Sequence, residues 1–162
     1  MTGLKLMALR HLLFMSVNDA SRFVGEVAER TWRFWESQSS EVPDDVAAKM
    51  DALLLYRNEI YQSSINLITE MPNNCPKIFP YYATLEDWMG IPMTVPMKWR
   101  AHCSAMAALV VDHGIELVRF NNDYYRFWLN SREDTHHLRM QWAIEALANE
   151  RAEASSKALK AG

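Results

Sequence analysis

The chain is short of most of the features that announce a chemistry. Its 162 residues include only two cysteines, Cys75 and Cys103. They stand far apart, without the close spacing of metal-binding pairs, and read as reduced thiols of an intracellular protein. Five glycines are scattered along the chain, so no glycine-rich loop could cradle a phosphate. The serine pairs Ser39-Ser40, Ser63-Ser64 and Ser155-Ser156 lack the signature of a nucleophile elbow. Basic residues are not in excess: 17 Lys and Arg against 20 Asp and Glu give a net charge of −3. With no surplus of cations to displace counterions from a phosphate backbone, no nucleic-acid partner is expected. The longest apolar runs, such as residues 105–111, are too short to cross a bilayer. Lys5, Arg10 and the apolar residues 12–15 resemble the start of a leader. No small-residue cleavage site follows, however, and the helical period continues past Val27, so a mature cytoplasmic chain is expected.

What the chain does have is apolar content, 49% of its residues, enough for one domain with a substantial core. Most of it is spaced for helices. In residues 4–38, Leu6, Leu9, Leu13, Val17, Ala20, Val24, Val27, Thr31 and Phe34 share a face. Asn18-Asp19 and Gly25 are weak points, which predicts one bent helix or two in line. Pro43-Asp44-Asp45 opens a second helix, with proline in the first turn and acids at the positive end of the dipole. Its stripe includes Val46, Met50, Leu53, Tyr61, Ile65 and Ile68, and Pro72 stops it. In residues 95–131 a further stripe runs through Trp99, Cys103, Met106, Val110, His113, Leu117, Phe120, Tyr124 and Phe127. Continuous, it would be a rod on the order of 50 Å long. A polar turn at 130–135 precedes a fourth helix, residues 136–160, with a thin stripe at Leu138, Trp142, Leu147 and Leu159.

Five of the six prolines fall between Pro72 and Pro96. That stretch also holds Phe79, Tyr81, Tyr82 and Trp88, with a helical turn expected from Thr84 to Gly90. A connection this long invites a functional reading; the plainer one is a lid whose aromatics plug the end of a bundle. The triplet Arg33-Phe34-Trp35 recurs as Arg126-Phe127-Trp128, and at the same offset Val17 and Asp19 echo Val110 and Asp112. Chance and duplication both account for so short a match.

Few residues could carry a reaction. Glu133-x-x-His136 has the spacing of a carboxylate–histidine metal motif, and a ferritin-like metal protein would draw on it and on His113. Such a site needs a second copy and two further inward glutamates; Glu26, Glu29 and Glu59 of the first hairpin have no histidine near them and the motif falls in a turn, so no metal or other cofactor is assigned. His113 reads as a core residue, or else as a proton carrier between Asp112 and Glu116. His102-Cys103 would point in directions about 100° apart on a helix, which argues against a thiolate–base pair. No enzyme is expected.

The aromatic ends of the helices stand out: Trp32, Phe34 and Trp35 cover more than one face, as do Tyr124, Tyr125, Phe127 and Trp128. One buried seam cannot absorb all of them. The stretches Phe23 to Glu70 and Ile115 to Lys160, with Glu29-Arg30…Phe34 and Arg119-Phe120…Phe127 near their starts, resemble the phasins, helical proteins that coat polyhydroxyalkanoate granules. That resemblance implies a non-enzymatic, self-associating protein on a hydrophobic surface. The chain is therefore expected to be a single all-α domain over residues 1–162. It would comprise two long antiparallel hairpins (about 4–71 and 95–160) joined by a Pro/aromatic-rich loop (72–94), and would form a homo-oligomer. Trp32, Trp35, Phe79, Tyr81, Tyr82, Trp88, Trp99, Tyr125 and Trp128 would be its surface- or partner-binding residues. The alternatives are a small helical adaptor or inhibitor, phage-derived, docking on one protein partner, and the metal protein above.

Overall fold

A computed structural model describes residues 1–72, 75–92 and 94–161, of which 159–161 by backbone alone. Asn73, Asn74 and Met93 of the expected loop, the side chain of Leu159 and Gly162 lie outside the described residues. The molecule is predominantly helical, as expected, but it is neither strictly all-α nor a pair of hairpins. In chain order the elements are α1 (Gly3–Leu12), α2 (Val17–Ala20) running into a π-turn (Ser21–Gly25), α3 (Glu29–Glu36), α4 (Asp44–Glu70), β1 (Ile78–Tyr81), α5 (Leu85–Met89), α6 (Pro96–His113), β2 (Glu116–Arg119), α7 (Asn122–Leu129) and α8 (His136–Ala161).

The first expected long helix is three short ones. α1 ends where Phe14 turns left-handed at φ 58°. Ser16 then restarts the chain with a reciprocal capping box: its Oγ accepts from Asp19 N–H at 2.9 Å, and its own N–H donates to Asp19 Oδ2 at 3.1 Å. The π-turn ends on left-handed Glu26 (φ 53°), and its Val24 carbonyl accepts from Lys49 Nζ at 3.0 Å. α3 begins three residues later. Neither Phe14 nor Glu26 is a residue type that usually signals such a break.

The expected rod also breaks. α6 stops at Gly114, a left-handed C-cap (φ 62°), and the chain goes on as a strand. β2 pairs parallel with β1 in the register Ile78↔Glu116 to Tyr81↔Arg119. A parallel pair needs a crossover, here supplied by α5 and α6. With a strand between them, α6 and α7 cannot form one arm of a hairpin. α4, the Thr84-capped α5 and α8 do form where the sequence places them.

Among the described residues, three clusters of buried side chains replace the single seam. One joins α1, the π-turn, α3 and the first half of α4 through Leu6, Leu13, Val24, Trp32, Val46 and Met50. A second gathers Tyr82, Trp88, Trp99, Phe120, Tyr125 and Trp142. The third, around Ile68, Phe79, Met106, Leu109 and Met140, lies where the later half of α4 meets α6 and α8. Arg100 Nε reaches Asp19 Oδ2 at 3.2 Å, tying α6 to the cap of α2.

Candidate functional site

α3 has two distinct sides, one buried and one exposed. Trp32 and Trp35, three apart, face the core with rings 5.7 Å apart and edge to face; Trp32 has no exposed surface. Arg30, Arg33 and Phe34 point the other way and are exposed. The Arg30 guanidinium lies 5.3 Å from the Phe34 ring centre, and Arg22 stands 5.1 Å from Phe23 on the preceding turn.

A buried polar brace holds α3 in place. Glu36 accepts from Arg10 Nε at 2.6 Å, from Arg10 Nη2 at 3.1 Å and from Trp32 Nε1 at 2.7 Å. Arg10 Nη1 donates to the Met15 carbonyl at 3.0 Å, closing the brace on the α1–α2 turn. Burial alone would raise the Glu36 carboxyl. The hydrogen bonds from Arg10 and Trp32, with the charges of Arg10 and His11, outweigh it and hold Glu36 below its ordinary value. Gly3 allows a close approach here: a Cβ would sit 2.2 Å from the Trp35 carbonyl oxygen. α2 with its π-turn, a three-residue turn and then α3 follow one another in the chain, and the brace lies behind the arginine-bearing face of α3.

A family model described as Aca2/YdiL-like matches residues 1–118. The chain belongs to the Aca2/YdiL-like family. It is 30% identical over 119 residues to the Aca2 repressor of Pectobacterium phage ZF40, which covers 73% of this chain and all of the relative. It is also 27% identical over 82 residues, 49% of this chain and 70% of the relative, to the uncharacterized protein YdiL of Escherichia coli K12. α7 and α8 lie beyond the family match.

Membership of the Aca2/YdiL-like family overturns the resemblance to phasins and, with it, the granule-coating scaffold, its hydrophobic-surface partner and the adaptor and metal-protein alternatives. The expectation of no nucleic-acid partner falls as well, since the family includes a repressor. Whole-chain charge averages over faces that differ, and three acids around α3 are held by neighbours. Glu36 is closed in by Arg10 and Trp32, Asp19 by Ser16 and Arg100, and Glu29 pairs with Arg33 at 3.2 Å. Arg22 and Arg30 face solvent, as does Arg33 despite its pairing with Glu29.

The residues expected to bind a surface are mostly interior. Trp32, Trp35, Phe79, Tyr82, Trp88, Trp99 and Tyr125 are buried, and Tyr81 and Trp128 are half-buried. Their polar tips find partners: Trp88 Nε1 donates to the Val95 carbonyl at 2.9 Å, Trp99 Nε1 to the Tyr82 carbonyl at 2.7 Å, and Tyr125 Oη to Asp134 at 2.6 Å. Trp128 Nε1 donates to Glu145 at 2.6 Å. Three clusters can absorb adjacent aromatic residues that one seam could not.

The other candidates stay apart. His113 ends α6 beside the Tyr61 ring, 6.1 Å away. Glu133 is in the turn before α8, and no group of three or more His, Cys, Asp or Glu able to hold a metal occurs among the described residues. Burial pushes the Cys103 thiol up, the reverse of what a nucleophile needs. Sequence reasoning missed Arg22, Arg30 and Arg33. The available signals were the Ser16-x-x-Asp19 capping box, and arginines at 30 and 33 interleaved with tryptophans at 32 and 35.

Proposed function

We propose that the chain is a DNA-binding transcriptional regulator that acts by binding rather than catalysis, in the cytoplasm where its target is. In this reading α3 enters the major groove, Arg30 and Arg33 reach base edges, Phe34 meets thymine methyl groups and Arg22 contacts phosphate. The observation that carries it is the exposed Arg30–Arg33–Phe34 face of α3, backed by buried Trp32 and Trp35. The repressor among the relatives supports the same reading. Residues 1–162 act as one domain, since Ala101 of α6 packs into the core behind α3 and Arg100 holds the cap of α2.

Selection from a random duplex library tests this, followed by fluorescence anisotropy on the enriched duplex. The full chain enriches a defined motif, and each of Arg30→Ala and Arg33→Ala weakens binding to it by roughly 1–3 kcal/mol. Failure to enrich any motif, or a double variant that binds like the parent, overturns the proposal.

A further inference from the structure

α7 turns an aromatic face to solvent. Tyr124 and Phe127, three apart and so on one side of the helix, are 72% and 87% exposed. Apolar residues exposed singly are ordinary. Two large rings side by side at the rim of a groove form a patch of the kind that partners cover. The groove runs between α7 and α8 and has a volume of about 610 Å³. Trp142, buried, and Trp128, half-buried, form its aromatic floor, and Tyr124 stands on the α7 side.

The opposite wall is acidic. Glu145, Asn149 and Glu153 follow one another at four-residue steps, a single line along α8, with Glu150 beside them, and all four are exposed. Among the described lining residues Arg119, at the end of β2, is the one cation, so three carboxylates outnumber it. Arg151, between Glu150 and Glu153 in sequence, is turned to Glu116 on β2 instead. Glu145 is engaged, accepting from Trp128 Nε1 at 2.6 Å and from Gln141 Nε2 at 3.2 Å. The aromatic surface already carries one guanidinium: Arg132 lies 4.1 Å from the centre of the Trp128 ring and donates to the Trp128 carbonyl at 2.7 Å. Rings beside carboxylates favour a cation, whereas a nucleic acid would meet like charge here. Every residue lining the groove follows residue 118, where the family match ends, so the surface lies outside the matched region.

We propose that the α7–α8 groove docks a basic segment of a second protein, with lysine or arginine side chains set against Glu150 and Glu153 and an apolar side chain covering Tyr124 and Phe127. The charge of the groove selects the partner, and the exposed rings supply the apolar area that an ion pair in water lacks. The site uses none of the residues of the α3 face, so it does not rest on the nucleic-acid reading, and its test uses no DNA.

The probe comes from a random peptide library selected on the full chain, with the enriched peptide labelled and titrated by fluorescence anisotropy. The expected peptides carry an excess of lysine and arginine with an aliphatic or aromatic residue among them, and bind saturably at one per chain. Glu150→Gln together with Glu153→Gln should weaken that binding about tenfold and flatten its dependence on salt. Tyr124→Ser together with Phe127→Ser should weaken it by about tenfold as well. All four side chains are exposed, so both double variants should keep the circular-dichroism melting profile of the parent. A library that enriches nothing, enriched peptides without an excess of positive charge, or binding that survives either pair of substitutions overturns the proposal. So does self-association in sedimentation that the Tyr124 and Phe127 substitutions abolish, because the occupant is then a second copy of this chain.

Discussion

α3 and α7 are each eight residues long and carry the same triplet, Arg-Phe-Trp, yet they are used differently. In α3 the tryptophan is buried, a second tryptophan one turn earlier is fully enclosed, and a buried ion pair locks the helix to α1. In α7 the tryptophan is half-buried with its N–H on the exposed face of α8, and Phe127 is 87% exposed. α3 follows a helix and a three-residue turn, whereas α7 follows a strand and is capped by Asn121, whose Oδ1 accepts from Tyr124 N–H. The repeated triplet therefore sits in two different settings. A triplet acquires a role from what braces it: side chains can be read out of a helix only if its other side is fixed.

The largest effect that separates the two helices is structural. Trp32→Ala should cost about 3–5 kcal/mol in urea denaturation, from lost burial and the cavity left behind. Next comes recognition. Arg30→Ala should cost roughly 1–3 kcal/mol of affinity for the selected duplex, while Arg126→Ala leaves it unchanged; equal losses in anisotropy titrations would erase the distinction. A smaller effect is the acid response. Because Glu36 is held below 4.5 in the folded chain, its stabilising contribution is complete above that pH and drains away as pH falls through the lowered value. Parent and Glu36→Gln should thus converge in thermal stability as pH drops below about 4.5, and a gap that persists would mean the carboxylate is not what braces α3. The smallest effect is Phe127→Ala, within about 0.5 kcal/mol by the same urea measurement. A loss rivalling that at Trp32 would show that α7 is covered in solution.

Much of the helical content was legible, and the reasons are local. Pro43 with two following acids, Thr84 capping Asp87 N–H, and the polar turn before His136 each act within a few residues. The breaks were harder because short helices packed on one core keep their apolar residues in phase. Leu6, Leu13, Val24 and Trp32 share a cluster whether or not the helix between them is continuous. Left-handed Phe14 and Glu26 leave no glycine or proline to mark the turns. Gly114 was a visible signal, since glycine just past the last helical turn is the usual residue of a left-handed cap. The parallel pairing of β2 with residues 78–81 is long-range and cannot be read locally. The candidate face was concealed by charge averaging: the −3 total does not say where charges lie, and only the fold shows Glu36 and Asp19 set against Arg10 and Arg100 while Arg22 and Arg30 face solvent.

The most direct test of the α3 account is an amide chemical-shift map of the full chain titrated with its selected duplex. The account predicts shifts concentrated in residues 16–37, largest around Arg30, Arg33 and Phe34, with α7 unmoved. Shifts centred on α7 and α8, with α3 silent, would contradict it.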